Sequence, residues 1–193
     1  MFRRNQCDNN ILEVIDMTQI LFMRHGQPDY SEIDRRKYVG FGNDLASLTE
    51  NGAREIEEIA KDIRLQDVNL ILCSPYTRTM HTAAIISKKL NVDFKVELDL
   101  MEWIPDKTYM YDDYQKVVAW RQEYDENNGK HTNSSQNWEE KFEIQARITR
   151  VLSKYTNYSK ILVVTHGMIM NAMTGVVKPS YGQIEEYLLD TQD

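Results

Sequence analysis

The chain has 193 residues and a formal net charge of −7, with 41% hydrophobic and 27% charged residues. That length predicts one domain, residues 1–193, with a sizeable core and the composition of an ordinary soluble globular protein. An acidic chain has no general attraction for nucleic acid or anionic membranes, and no apolar run approaches the roughly 20 residues that span a bilayer, so neither is an expected partner.

Residues 1–17 form a poorly patterned leader. Met1 to Asn10 is polar and lacks the apolar core of a signal peptide, so a cytoplasmic location is expected. Met17 is a candidate alternative start, because the first clear strand follows it. That strand is Gln19–Met23, a short apolar run of the buried parallel-sheet kind, and it stops at Arg24-His25-Gly26. A polar loop with Pro28, Gly40 and Gly42 as breakers extends to Ser47. Thr49 then reads as a helix N-cap, with Glu50 in the first turn, and Ala53, Ile56, Ile59, Ala60 and Ile63 recur at helical spacing.

Val68–Cys73 is a second apolar strand. Ser74-Pro75 follows at once, and a Ser N-cap with Pro at the first helical position predicts a helix from Pro75 to Lys89. Asn91–Glu97 is a third strand candidate, with Leu98–Ile104 leaving it. Residues 105–137 interrupt the alternation with an aromatic-rich helical candidate at Tyr111–Tyr124 and a polar loop from Asp125. Trp138–Tyr155 reads as an amphipathic helix with Trp138, Phe142, Ile148, Val151 and Leu152 apolar. Ile161–Val164 is the clearest strand; it ends at Thr165-His166-Gly167, before a short helix from Met168. Ile184–Leu189 is compatible with a strand or a helix.

This order predicts an α/β fold with a mostly parallel central sheet, helices on both faces and a helical insertion at 105–137. Ligands of such sheets bind beyond the carboxyl ends of the strands. Those ends deliver Arg24 and His25, then Ser74 with Arg78 one helical turn on, then His166. Two arginines and two histidines would meet there, in the local basic pocket that an acidic chain needs for an anionic substrate. Arginine presents a planar fork that matches phosphate oxygens and stays charged. A helix start adds free N–H groups and a positive dipole end. A neutral histidine attacks phosphorus through one ring nitrogen when the other is held by a hydrogen bond.

A leaving alkoxide also needs a proton. Glu102, after the third strand candidate, is the preferred source, with Asp99 and Asp106 as alternatives. Taken singly, each of these residues has a plainer reading as a structural histidine, a solvated arginine or a surface carboxylate; the recurrence of basic residues at strand ends is what favours the functional one. His81 and His131 lack that support and read as helix surface and loop. Trp103, Trp120 and Trp138 read as packing residues. Cys7 and Cys73 make no disulfide scaffold and no zinc spacing; Cys73 reads as a small buried hydrophobe, and a bond between the two stays open.

The chain resembles the histidine phosphatase superfamily, the phosphoglycerate-mutase-like proteins. Arg24-His25-Gly26 resembles the family's R-H-G signature, Asn43 to Thr49 with Gly52 its approach to the first helix, Ser74 to Ala83 its S-P-x-x-R-x-x-x-T-A segment, and Thr165-His166-Gly167 its second histidine motif. The resemblance runs from Gln19 to about Val177. It implies that His25 is the nucleophile and forms a phosphohistidine, that Arg24, Arg78 and His166 bind the phosphoryl group, and that Glu102 is the proton donor and later the base. It also implies that residues 105–137, with Tyr109, Tyr111, Tyr114 and Trp120, shape substrate choice over the active site, although core packing is the plainer use of these rings.

Gln27 stands where many members carry Glu, and Ser31 where the mutase branch has Asn. The chain is also short for a mutase. The expected activity is therefore that of a histidine acid-type phosphatase needing no metal and no cofactor, acting on a small phosphorylated substrate, with a phosphoprotein left open. A phosphoglycerate-type mutase and a non-catalytic phospho-ligand-binding module are the alternatives.

Overall fold

The computed structural model describes residues 18–189. The leader, Cys7 and Met17 therefore lie outside the described residues. In chain order the elements are β1 (Gln19–Arg24), β2 (Pro28–Asp29), α1 (Ser31–Arg36), β3 (Ser47–Leu48), α2 (Glu50–Ile59), β4 (Leu70–Cys73), α3 (Thr77–Leu90), β5 (Phe94–Val96), α4 (Tyr114–Glu126), α5 (Lys141–Leu152), β6 (Lys160–Thr165), α6 (Gly167–Thr174) and β7 (Ile184–Leu188). Five strands form one sheet in the order β5–β4–β6–β1–β7. The first four are parallel, and β7 runs antiparallel to β1.

The continuous apolar runs arise because both faces of the sheet are covered. Ile20 and Phe22 of β1, Leu70 and Leu72 of β4, and Ile161 and Val163 of β6 face one cluster with α5 and α6. The alternate residues, Leu21 and Met23, Ile71 and Cys73, Leu162 and Val164, face the other cluster with α2 and α3. Each of these side chains is fully or almost fully buried, worth about 1.5–3 kcal/mol for a large aliphatic one. Burial pushes the Cys73 thiol up to about 12, so it behaves as a hydrophobe. Trp103 and Trp138 are buried and Trp120 packs against them, in the packing role expected of all three.

Several boundaries differ from expectation. The loop of residues 27–47 contains α1 and a two-strand ribbon in which Pro28 pairs with Leu48. Helix α3 begins at Thr77 with Tyr76 at the N-cap, not at Pro75 with Ser74. The reason is that the Ser74 hydroxyl is bound to His166 Nε2 at 2.8 Å, so it serves the sheet edge rather than a cap. Helix α5 starts at Lys141, behind a capping box of Glu140 and Glu143; Trp138 precedes it, and Phe142 points outward at 61% exposure rather than into the core. The segment after Gly182 is a strand, β7, with Ile184 opposite Met23. Thr49 caps α2 as expected, accepting from the Gly52 N–H at 2.9 Å.

Candidate active site

Register places the site. Arg24 lies opposite Thr165 in the β1–β6 pair, so the next residues, His25 and His166, leave the sheet side by side. The Ser74 N–H donates to Val164 O at 3.2 Å, which brings the end of β4 to the same edge. The two imidazole rings lie 5.3 Å apart, and Arg78, on the first turn of α3, reaches both. All three are nearly fully buried. Arg24, Arg78, His25 and His166 are thus brought together at the carboxyl edge of the sheet.

The hydrogen bonds fix the tautomers. His25 Nδ1–H donates to Gly26 O at 2.7 Å, which leaves Nε2 with its lone pair; Arg78 Nε–H donates to that nitrogen at 3.3 Å. His166 Nε2–H donates to Ser74 Oγ, while its Nδ1 accepts from Arg78 Nη2 at 3.5 Å. Burial, with the Arg78 charge next, lowers His25 to about 3, and the same two causes push His166 well below the ordinary imidazole value. Both rings are therefore neutral at pH 7. Gly26 allows a close approach, but to the scaffold rather than to the ligand side: a side chain there would meet Ile56 Cγ1 at 2.8 Å.

Arg24 Nη1–H donates to Pro179 O at 2.5 Å, and its guanidinium lies 4.2 Å over the Tyr181 ring. Its Nε is buried without a partner, which leaves donor capacity at the sheet edge. Three further residues enter the site. Asp44 accepts from Arg78 Nη1 at 3.2 Å, and burial raises its carboxyl to about 6 against the opposing pull of Arg78. Tyr76 places its ring 4.9 Å from the Arg78 guanidinium and 5.0 Å from His166, and Tyr181 lies 5.6 Å from His25. Asp44 stands in the motif stretch before α2, but nothing local pairs it with an arginine 34 residues on.

Glu102 lines a cavity of about 710 Å³ together with Arg24, Gly167, Arg121, Tyr124 and Lys178. One carboxylate oxygen accepts from the Trp103 N–H at 2.9 Å. Asp106 is instead tied into a turn by Thr108 and Asn137, which holds its carboxyl below the usual range, with the Thr108 N–H as the main cause. Tyr109 stacks with Phe41 at 5.7 Å and Tyr111 meets it tilted at 5.9 Å, on the turn that carries Asp44, whereas Tyr114 is exposed. His81 Nδ1 meets Ser47 Oγ at 2.9 Å, and His131 Nε2–H donates to Trp138 O at 2.8 Å; both serve as local braces. Among the described residues, no three His, Cys, Asp or Glu side chains gather into a metal-binding group, and no helix is long and apolar enough to cross a membrane.

Residues 20–182 match the family model of the histidine phosphatase superfamily (branch 1), and the chain belongs to that family. Solved structures with the same fold include a mycobacterial glucosyl-3-phosphoglycerate phosphatase, 15% identical with a TM-score of 0.66, over 88% of this chain and 89% of that one. An alpha-ribazole phosphatase from Shigella flexneri is 20% identical with a TM-score of 0.60, over 88% and 89%. YhfR of Bacillus stearothermophilus is 18% identical with a TM-score of 0.62, over 88% and 90%. No curated protein matches the sequence.

Proposed function

We propose that the protein is a metal-independent phosphomonoesterase, of the histidine acid phosphatase type, working through a phosphohistidine on His25. The observation that carries this reading is the neutral His25, with Nδ1–H anchored on Gly26 O and Nε2 turned to Arg78. In the first step Nε2 attacks phosphorus and the bond to the leaving oxygen breaks. Arg24 and Arg78 spread over the phosphoryl oxygens, and His166 supports them once the dianion offsets the arginine charges. Glu102 gives its proton to the leaving oxygen. Water then attacks phosphorus, Glu102 takes the water proton, and the P–N bond breaks to return neutral His25.

The cavity beside Glu102 supports a small-molecule substrate. Its volume is in the range of small-ligand sites, and both Arg24 and Glu102 line it. Arg121, Tyr124 and Asp125 of α4 contribute to its wall, which supports reading residues 105–137 as an insertion over the site within one domain.

The test is hydrolysis of an aryl phosphate with a chelator present, comparing the native protein with His25→Ala. Expected is chelator-resistant turnover in the native protein, an acid-labile phosphate trapped on it, and a loss of at least about 10⁴-fold in the variant. Turnover that survives His25→Ala rules out the phosphohistidine route.

A further inference from the structure

The last turn of the site is held by a buried ion pair far from it in sequence. Arg147 lies on the core-facing side of α5 with Ile144, Ile148 and Val151. Its guanidinium makes a two-pronged pair with Glu139, Nε to Oε1 at 2.6 Å and Nη2 to Oε2 at 2.9 Å, with both side chains under 9% exposed. The remaining donors go to backbone carbonyls: Nη1 to Asp99 O and, at 2.9 Å, to Met101 O, and Nη2 to Glu102 O at 3.3 Å. All five N–H groups of the arginine are thereby used, three of them on the segment that carries Glu102. Glu139 grips the same segment from the other end. Its Oε2 accepts from the Ile104 N–H at 3.3 Å and its carbonyl from Trp103 Nε1–H at 2.8 Å, while its N–H donates to Ile104 O at 2.9 Å.

Stability gives no reason for this arrangement. A buried pair gains little or nothing over apolar side chains of the same size, because both charges lose their water. Residues 99–104 have no helix or strand ladder beyond a single 3₁₀ turn at Leu98–Leu100, so without outside donors their carbonyls would be free to rotate. The geometry points to Arg147 and Glu139 as positioning residues for the proton-donating carboxyl of Glu102. This rests on the reading of Glu102 as the acid. Neither side chain touches the reacting atoms; the pair fixes the backbone from which the Glu102 side chain reaches the cavity it shares with Arg24.

Leaving-group dependence separates positioning from bulk stability, since a dinitrophenolate leaves without a proton and an alkoxide does not. The variants are Glu102→Gln, the uncharged pair Arg147→Met with Glu139→Leu, and Arg147→Lys, which keeps the charge but not the fork. kcat/KM is measured on an alkyl phosphate and on 2,4-dinitrophenyl phosphate, because it reports the steps up to leaving-group departure. Expected for Glu102→Gln is a loss of about 10²-fold or more on the alkyl ester and little on the dinitrophenyl ester. Both positioning variants should lose roughly 10-fold or more on the alkyl ester and under about threefold on the other, as misplacement of a catalytic group does. Arg147→Lys keeps the test open should the double variant not fold. Equal losses on the two esters in the positioning variants, with the Glu102→Gln pattern intact, overturn the positioning role alone. Equal losses in Glu102→Gln itself overturn the assignment of the acid, and the positioning role with it.

Discussion

His25 and His166 leave the two central strands of the sheet, β1 and β6, whose side chains are buried on both faces and paired over six residues. Glu102 leaves a short irregular stretch after the three-residue edge strand β5, and side-chain donors from α5 hold it in place. The proposed phosphate-binding residues are therefore fixed by the sheet, and the Glu102 segment by the Arg147–Glu139 clamp together with Thr165 Oγ1–H of β6, which donates to Leu100 O at 3.1 Å. The proposed phosphate-binding histidines thus follow strands that are paired along their whole length and buried over most of it. Glu102, the proposed proton donor, is set on a part that a few hydrogen bonds define, so its position depends on residues outside the site.

Substitutions can break this comparison from either side. The largest expected effect, after loss of His25, is at Arg78. Arg78→Ala removes the donor that joins His25, His166 and Asp44, and kcat/KM should fall about 10³-fold on aryl and alkyl phosphates alike, measured by steady-state kinetics. Glu102→Gln should cost about 10²-fold on alkyl esters only, so the two halves of the site are told apart by substrate rather than by size of loss. Asp44→Asn is a smaller change. Below its raised pKa of about 6 the Asp44 carboxyl is neutral and no longer competes with phosphate for Arg78. Inhibition by inorganic phosphate, referred to the concentration of its dianion, should strengthen a few-fold as pH falls through that value in the native protein, and Asp44→Asn should remove that part of the pH dependence.

A separate readout is folding stability. The folded pKa of His25 lies near 3 against an ordinary 6.5, and that of His166 is lowered as well. The unfolded chain therefore binds more protons, and folding stability present above pH 6.5 is lost as pH falls toward 3. The slope is up to about 1.4 kcal/mol per pH unit for each ring. Asp44 acts with the opposite sign between its ordinary 3.8 and about 6, because its folded pKa is raised. Two histidines against one aspartate leave a net loss in acid. Chemical denaturation at pH 7 and pH 5 should show it, and His25→Gln should flatten the slope.

Much of the proposed phosphate site was legible because its residues directly follow apolar strands, and a run such as Ile161–Val164 announces where the backbone must end its pairing. The fold was legible for the same reason. The start of α3 misled because Ser74-Pro75 has the chemistry of a cap, while its hydroxyl is committed to a histidine 92 residues away. Asp44 had no local sign, since its partner Arg78 is reached only through the packing of the turn before α2 against α3. Arg147 has no local sign in the sequence, since its partners are carbonyls 45 to 48 positions earlier. Phe142 shows the converse, an aromatic counted with the apolar positions that lies on the opposite side of α5 from Ile144, Ile148 and Val151 and is exposed.

The two outer strands of the sheet carry a further consequence. β5 has only three residues, with Lys95 at its centre, and β7 presents Glu185 and Glu186 along the outer edge beside β1. Among the described residues nothing pairs with either outer edge, and such an edge offers backbone groups on which another chain can extend the sheet. A second copy adding at β7 would bring glutamates against glutamates, and one adding at β5 would find too short a ladder with a lysine facing a lysine. Charge on both outer strands thus disfavours growth of the sheet by added chains, apart from the chemistry proposed for its carboxyl edge.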